Sequence, residues 1–160
     1  MLFFETSVLC LLFFFICYAN TGTDEKNIKS YNSYPDEVQN ILKNNPEFLS
    51  SIKTVKPSVS FISNLITFTI VLFIFGFFIR ENNFGANFFN ILFMGEILNA
   101  FDLLIIDLLW WRNSERIRFT GSKDKPELYK NPKKHIASFF RGAVVFLLVA
   151  FIDGFLLTLL

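Results

Sequence analysis

Three long, predominantly apolar runs, Leu2 to Ala19, Ser58 to Ile79 and Ile136 to Leu160, set the terms on which this chain can fold. Each supplies the roughly 20 residues that a helix needs to cross a bilayer. In hydrocarbon only a helix or a closed barrel satisfies its own backbone polar groups, and continuous rather than alternating apolarity selects the helix. A fourth stretch, Phe88 to Trp111, is long enough but is interrupted by Glu96, Asn99, Asp102 and Asp107. Composition points the same way: 52% of the 160 residues are apolar and 23 are Phe, too many for an ordinary soluble surface. The expected fold is all-α, a polytopic membrane protein with four transmembrane helices at 2–19, 58–79, 88–111 and 136–160 in one membrane domain.

The formal net charge of +1 conceals an uneven distribution. Residues 20–57 hold five lysines and five acids, and residues 112–135 hold eight Lys or Arg against Glu115, Asp124 and Glu127. The link between the second and third apolar stretches carries only Arg80 and Glu81. Because Lys and Arg are retained in the cytoplasm, loops 20–57 and 112–135 are expected inside and both termini outside. The bilayer is then the first partner, and the basic 112–135 loop lies within reach of anionic inner-leaflet lipids. Val8 to Ile16 resembles the centre of a secretory signal, but no Lys or Arg precedes it, so an uncleaved span is expected. Cys10 and Cys17 share a helix face without being able to bond to each other, and read as small apolar fillers.

In the first loop "SYPDEVQNILKNNPEF" predicts a short helix: Pro35 suits a first helical position and Asp36 and Glu37 the first turn. Val38, Ile41 and Leu42 form its apolar stripe, able to lie on headgroups or dock against the other loop, and Pro46 ends or kinks it. In the second loop "RIRF" alternates like a short extended piece, with Gly121 and Pro126 as turn signals.

Ionisable groups at membrane depth are costly and normally face protein, water or a partner. With Trp110 and Trp111 as an interfacial belt, Asp107 lies roughly 6 Å, Asp102 roughly 13 Å and Glu96 roughly 22 Å inside it. At about 100° per residue, Glu96, Asn99, Asp102 and Asp107 fall within an arc of about 140°, a polar face that should look into a bundle. Asp102 and Asp107 themselves stand about 140° apart on an α-helix, which excludes them as a facing dyad. On the antiparallel last helix Arg141 arrives at roughly 8 Å and Asp153 at roughly 25 Å. The expected pairings are Arg141 with Asp107 or Asp102, as a functional or a packing device, and Glu96 sharing a proton with Asp153. His135, the single histidine, joins Tyr129 and Trp110 at the inner rim.

There is no phosphate-binding glycine loop, nucleophile elbow, His-Glu-x-x-His or Cys-x-x-Cys. No metal, no other cofactor and no nucleic-acid partner is expected. The leading function is non-enzymatic: partner binding, or passage of a proton or small solute through a homo-oligomer. The alternatives are an enzyme acting on lipid headgroups at the inner surface, with Asp107 and His135 as base, and an assembly or regulatory subunit bound to another membrane protein.

"FDLLIIDLLWW", "SERIRFTGSKD", "YKNPKKHI" and "YPDEVQ" carry a resemblance. In these motifs the chain resembles an uncharacterised family of small polytopic integral membrane proteins from low-GC Gram-positive bacteria. The resemblance implies a bacterial cytoplasmic-membrane location and Asp102, Asp107, Trp110, Gly121, Tyr129 and His135 as pattern residues. It implies no activity. The chain departs from the pattern at Thr120, where a proline is usual, and at Trp111 and Arg112, which fall in a more variable part of the motif.

Overall fold

A computed structural model describes residues 1–160. The chain is helical, with no strand: α1 (Leu2–Ala19), α2 (Asp24–Asn27), α3 (Asp36–Lys43), α4 (Pro46–Leu49), α5 (Pro57–Phe77), α6 (Phe84–Phe101) and α7 (Lys133–Thr158), joined by short 3-10 turns. Three helical stretches are long and apolar enough to cross a membrane, Leu2–Ala19, Pro57–Phe77 and Pro126–Thr158. The expected fourth segment is helical too, but not as one α-helix. α6 ends at Phe101 and a π-helix continues from Asp102 to Trp110. Asn87, Asn90, Glu96 and Asn99 dilute the apolarity of α6, which is not among the three.

The chain divides into two compact units, one of 1–12, 55–101 and 139–160, the other of 13–54 and 102–138. In the first, glycines set how closely α6 and α7 pack. A methyl group on Gly154 would stand 3.0 Å from the Phe88 backbone, and one on Gly95 would enter the Phe146 ring. Small residues at such crossings are how helices associate where water supplies no hydrophobic drive. At one end of the pair the Asn87 amide donates to Thr158 Oγ1 at 3.0 Å and to the Glu81 carbonyl at 2.8 Å, while its oxygen accepts from Glu81 N. Leu72, Ile91, Met94, Leu98, Val149 and Ala150 fill the interior. Ile62, Ile66, Ile70 and Ile74 form an exposed stripe at four-residue spacing on α5, a face suited to lipid tails.

In the second unit the two loops fold into one core of Ile28, Tyr31, Tyr34, Val38, Leu42, Trp111, Ile117, Phe119 and Tyr129. α3 therefore docks on the other loop. Val38 and Leu42 are 1% exposed and Ile41 is 43% exposed, so the stripe is narrower than expected. α3 stops at Lys43, and Pro46 opens α4 behind an Asn45 cap whose oxygen accepts from Glu47 N. "RIRF" is not one extended piece: Arg116 and Ile117 belong to a 3-10 turn, Glu115–Ile117, and the chain is extended only from Arg118, although the alternation of burial holds, with Ile117 and Phe119 buried and Arg116 and Arg118 partly exposed. Gly121, at φ +90°, turns the chain where an L side chain would be strained.

Candidate functional site

The polar residues read from the sequence separate. Glu96, Asn99, Arg141 and Asp153 belong to the first unit, and Asp102, Asp107, Trp110, Tyr129 and His135 to the second.

In the first unit the expected sharing of a proton between Glu96 and Asp153 does not form. Glu96 Oε2 accepts from Asn99 Nδ2 at 3.4 Å, and both Asp153 oxygens are buried with no partner. Packing of Gly154 on Phe88 and of Gly95 on Phe146 puts Asp153 about two turns away from Glu96 along the helix pair. Asn99 is 6% exposed; its amide also donates to the Phe139 carbonyl at 3.1 Å, and its oxygen fills the space over Gly142. Asn99 thus ties α6 to α7. Arg141 is exposed and belongs to neither the Lys134–Asp36 ion pair nor the His135–Asp107 contact.

In the second unit the partner of Asp107 is His135, in place of the expected Arg141. His135 Nδ1 lies 2.9 Å from Asp107 Oδ2, with side-chain exposures of 5% and 15%. The histidine is held from several sides. It stands in the first turn of α7, which begins after Asn131, whose Oδ1 accepts from Lys133 N at 3.1 Å. Its ring meets the Trp111 ring edge-on at 4.8 Å, and Trp111 in turn packs on Tyr34 at 4.6 Å. The other ring nitrogen, Nε2, is buried with no hydrogen-bond partner. Burying a polar atom in this way is costly enough to mark a functional candidate.

The π-helix changes the relation between the two carboxylates. A turn closed by i to i+5 bonds holds about 4.4 residues, so Asp102 and Asp107 stand about 50° apart instead of about 140°. They share a face and lie within electrostatic reach of each other and of Cys17 on α1. π-segments are rare and concentrate at functional sites. The end of this one is closed by Asn113, whose amide donates to the Leu109 carbonyl at 2.8 Å.

Trp110 packs on Phe14 and Tyr18, with ring centroids 5.5 and 6.0 Å away, an aromatic cluster at the end of α1. Tyr129 is fully buried: its hydroxyl accepts from Phe119 N at 3.1 Å and meets Ser122 Oγ at 2.6 Å, pinning the turn at Gly121. It therefore closes the loop core. Tyr34, whose hydroxyl donates to the Ile117 carbonyl at 2.8 Å, has its phenol pushed above the usual range by burial. Trp111 and Cys17 were not singled out by sequence as site residues; for Trp111 the signal was the tryptophan pair itself. No group of three or more His, Cys, Asp or Glu side chains is placed to hold a metal ion. Compared with protein-family models, curated proteins and solved structures, the chain matches none.

Proposed function

We propose that this is a four-span integral protein of the bacterial cytoplasmic membrane, with both termini outside, that moves a proton or small solute as a homo-oligomer or within a membrane complex. The observation that carries the reading is the Asp107–His135 contact at 2.9 Å, with Nε2 left unpartnered and Asp102 turned onto the same face by the π-helix. Two carboxyls on one side of the π-helix, the second met by an imidazole from α7, supply groups able to accept and hand on a proton. The four-span arrangement is supported by the helical continuation of α6 through Trp110, and the orientation by the basic loops.

The second reading, headgroup chemistry with His135 as base, is favoured by the same contact. It requires Nε2 to meet substrate, and Nε2 is buried. The discriminating experiment is pH-gradient decay in proteoliposomes holding equal amounts of folded wild type, Asp102→Asn and His135→Gln. The proposal expects the wild type to dissipate the gradient and both variants to slow it at least tenfold. A wild type as tight as protein-free liposomes contradicts proton movement by the isolated chain.

A further inference from the structure

The lining of a groove of about 680 Å³ in the second unit includes six charged residues, the acids Asp24, Glu25 and Glu115 and the bases Arg116, Arg118 and Lys123. That volume lies within the usual range of small-molecule sites, about 300 to 1,000 Å³. Three charges of each sign in one groove would ordinarily close on one another. Here they do not: the Lys134–Asp36 ion pair and the His135–Asp107 contact both lie elsewhere.

Three of them, Arg116, Arg118 and Asp24, are instead held by neighbours that leave their charges open. Arg116 Nε donates to the Tyr18 carbonyl at 3.3 Å and to Thr21 Oγ1 at 3.2 Å, with its guanidinium 4.1 Å over the Tyr18 ring. Gly22, at φ +110°, makes room for it, because a Cβ there would stand 2.7 Å from Arg116 Cζ. Arg118 Nη1 donates to the Lys123 carbonyl at 3.0 Å, and its Nε is buried without a partner. The Asp24 carboxylate is fixed by the Thr120 N–H, at 3.1 and 3.3 Å from its two oxygens.

We propose that this groove binds a zwitterion bearing a phosphate and a primary ammonium, the chemistry of a phosphoethanolamine headgroup. Arg116, Arg118 and Lys123 take the phosphate through charge-assisted bonds. Glu25 and Glu115, with the fixed Asp24, take the ammonium. A simple anion would meet three carboxylates and a simple cation three positive groups, whereas a dipolar ligand satisfies both. Tyr18 lies in the last turn of an apolar helix long enough to cross a bilayer, which puts the groove at headgroup level. This assignment stands independently of proton movement.

The test is binding to the full-length protein in dodecylmaltoside micelles, using short-chain phosphatidylethanolamine, phosphatidylcholine and phosphatidylglycerol, and free O-phosphoethanolamine. The ethanolamine lipid is expected to bind at least tenfold more tightly than the choline lipid, which has no N–H donor, and the glycerol lipid, which has no ammonium. Glu25→Gln combined with Glu115→Gln, both exposed changes, is expected to remove the preference. Lys123→Gln, an exposed change that leaves the loop core intact, and Arg118→Gln are expected to weaken binding of all three lipids at least tenfold and leave the order among them unchanged. Free phosphoethanolamine binding as tightly as the lipid identifies a soluble ligand, and binding by the lipid alone identifies the membrane; both uphold the assignment. Equal binding of phosphatidylglycerol, no binding by any probe, or a preference that survives the paired glutamate change overturns it.

Discussion

Leu42 and Ile41 are neighbours on α3, yet only Leu42 enters the core shared by the two loops, at 1% exposure against 43%. Leu42→Ala removes a fully enclosed side chain, a change that costs about 3 kcal/mol or more through lost transfer energy and the cavity left behind. Ile41→Ala removes a half-exposed one, and surface changes stay within about 0.5 kcal/mol. At about 1.36 kcal/mol per factor of ten, 3 kcal/mol raises the population of an opened loop module about 150-fold. Trypsin, acting on the protein in detergent at concentrations where reclosing outpaces cleavage, reads that population directly. Cleavage after Lys123 and Lys130 is expected to accelerate about 150-fold in Leu42→Ala and less than about threefold in Ile41→Ala. Equal rates in the two variants would refute the docking of α3 on the second loop, because a helix lying on lipid would not distinguish these positions in this way.

Gly154→Ala is expected to destabilise α6 against α7 by about 1 to 3 kcal/mol, since the new methyl meets Phe88 backbone and not a side chain that can swing away; thermal unfolding in detergent measures it, with Gly85→Ala as the control. Tyr129→Phe leaves Phe119 N–H and the Ser122 hydroxyl short of a buried partner, costing about 1 to 3 kcal/mol and raising the same tryptic cleavage about 5- to 150-fold. Asp36 is held below the ordinary carboxylate range by the hydrogen bond from Lys134 at 2.7 Å and by that lysine's charge. A carboxyl lowered on folding contributes stability above its unfolded pKa and loses it as pH falls through the folded value. Hydrogen exchange of α3 amides, corrected for intrinsic rates, should therefore show protection falling slightly on acidification through the aspartate range in the wild type and not in Asp36→Asn; the pair is exposed, so the effect is small.

Much of the architecture was legible because bilayer length and apolarity leave few choices: α1, α5 and α7 fall close to the apolar runs. The Asp36–Lys43 helix and the Gly121 turn followed from local chemistry, acids in a first turn and a residue free to take positive φ. The site was legible in part. Counting along the helices puts His135 and Asp107 at similar depth, but charge alone favours Arg141 with Asp107 or Asp102. Two physical facts lay outside the pattern. The π-helix between Asp102 and Trp110 alters both angle and rise, so counting at α-helical values separated two carboxylates that share a face. Glycine contacts on Phe88 and Phe146 set the register of α6 and α7, and close packing of that kind is invisible to a count of residues from an assumed interface. Tyr129 was read as a rim residue because nothing local distinguishes an interfacial tyrosine from one closing a buried turn.

Movement of a proton or solute past the rim requires water at Asp102 as well as at Asp107. The most direct test labels single cysteines introduced as Asp102→Cys, Asp107→Cys and Leu104→Cys in a background with Cys10 and Cys17 replaced by serine, using a membrane-impermeant methanethiosulfonate in vesicles open to the cytoplasmic side. Positions 102 and 107 are expected to react at rates within about tenfold of each other, and position 104, on the exposed apolar face, at least a hundredfold more slowly. Rapid reaction at 107 with position 102 as inert as position 104 would contradict such movement, and would leave the Asp107–His135 contact as a packing device at the membrane rim.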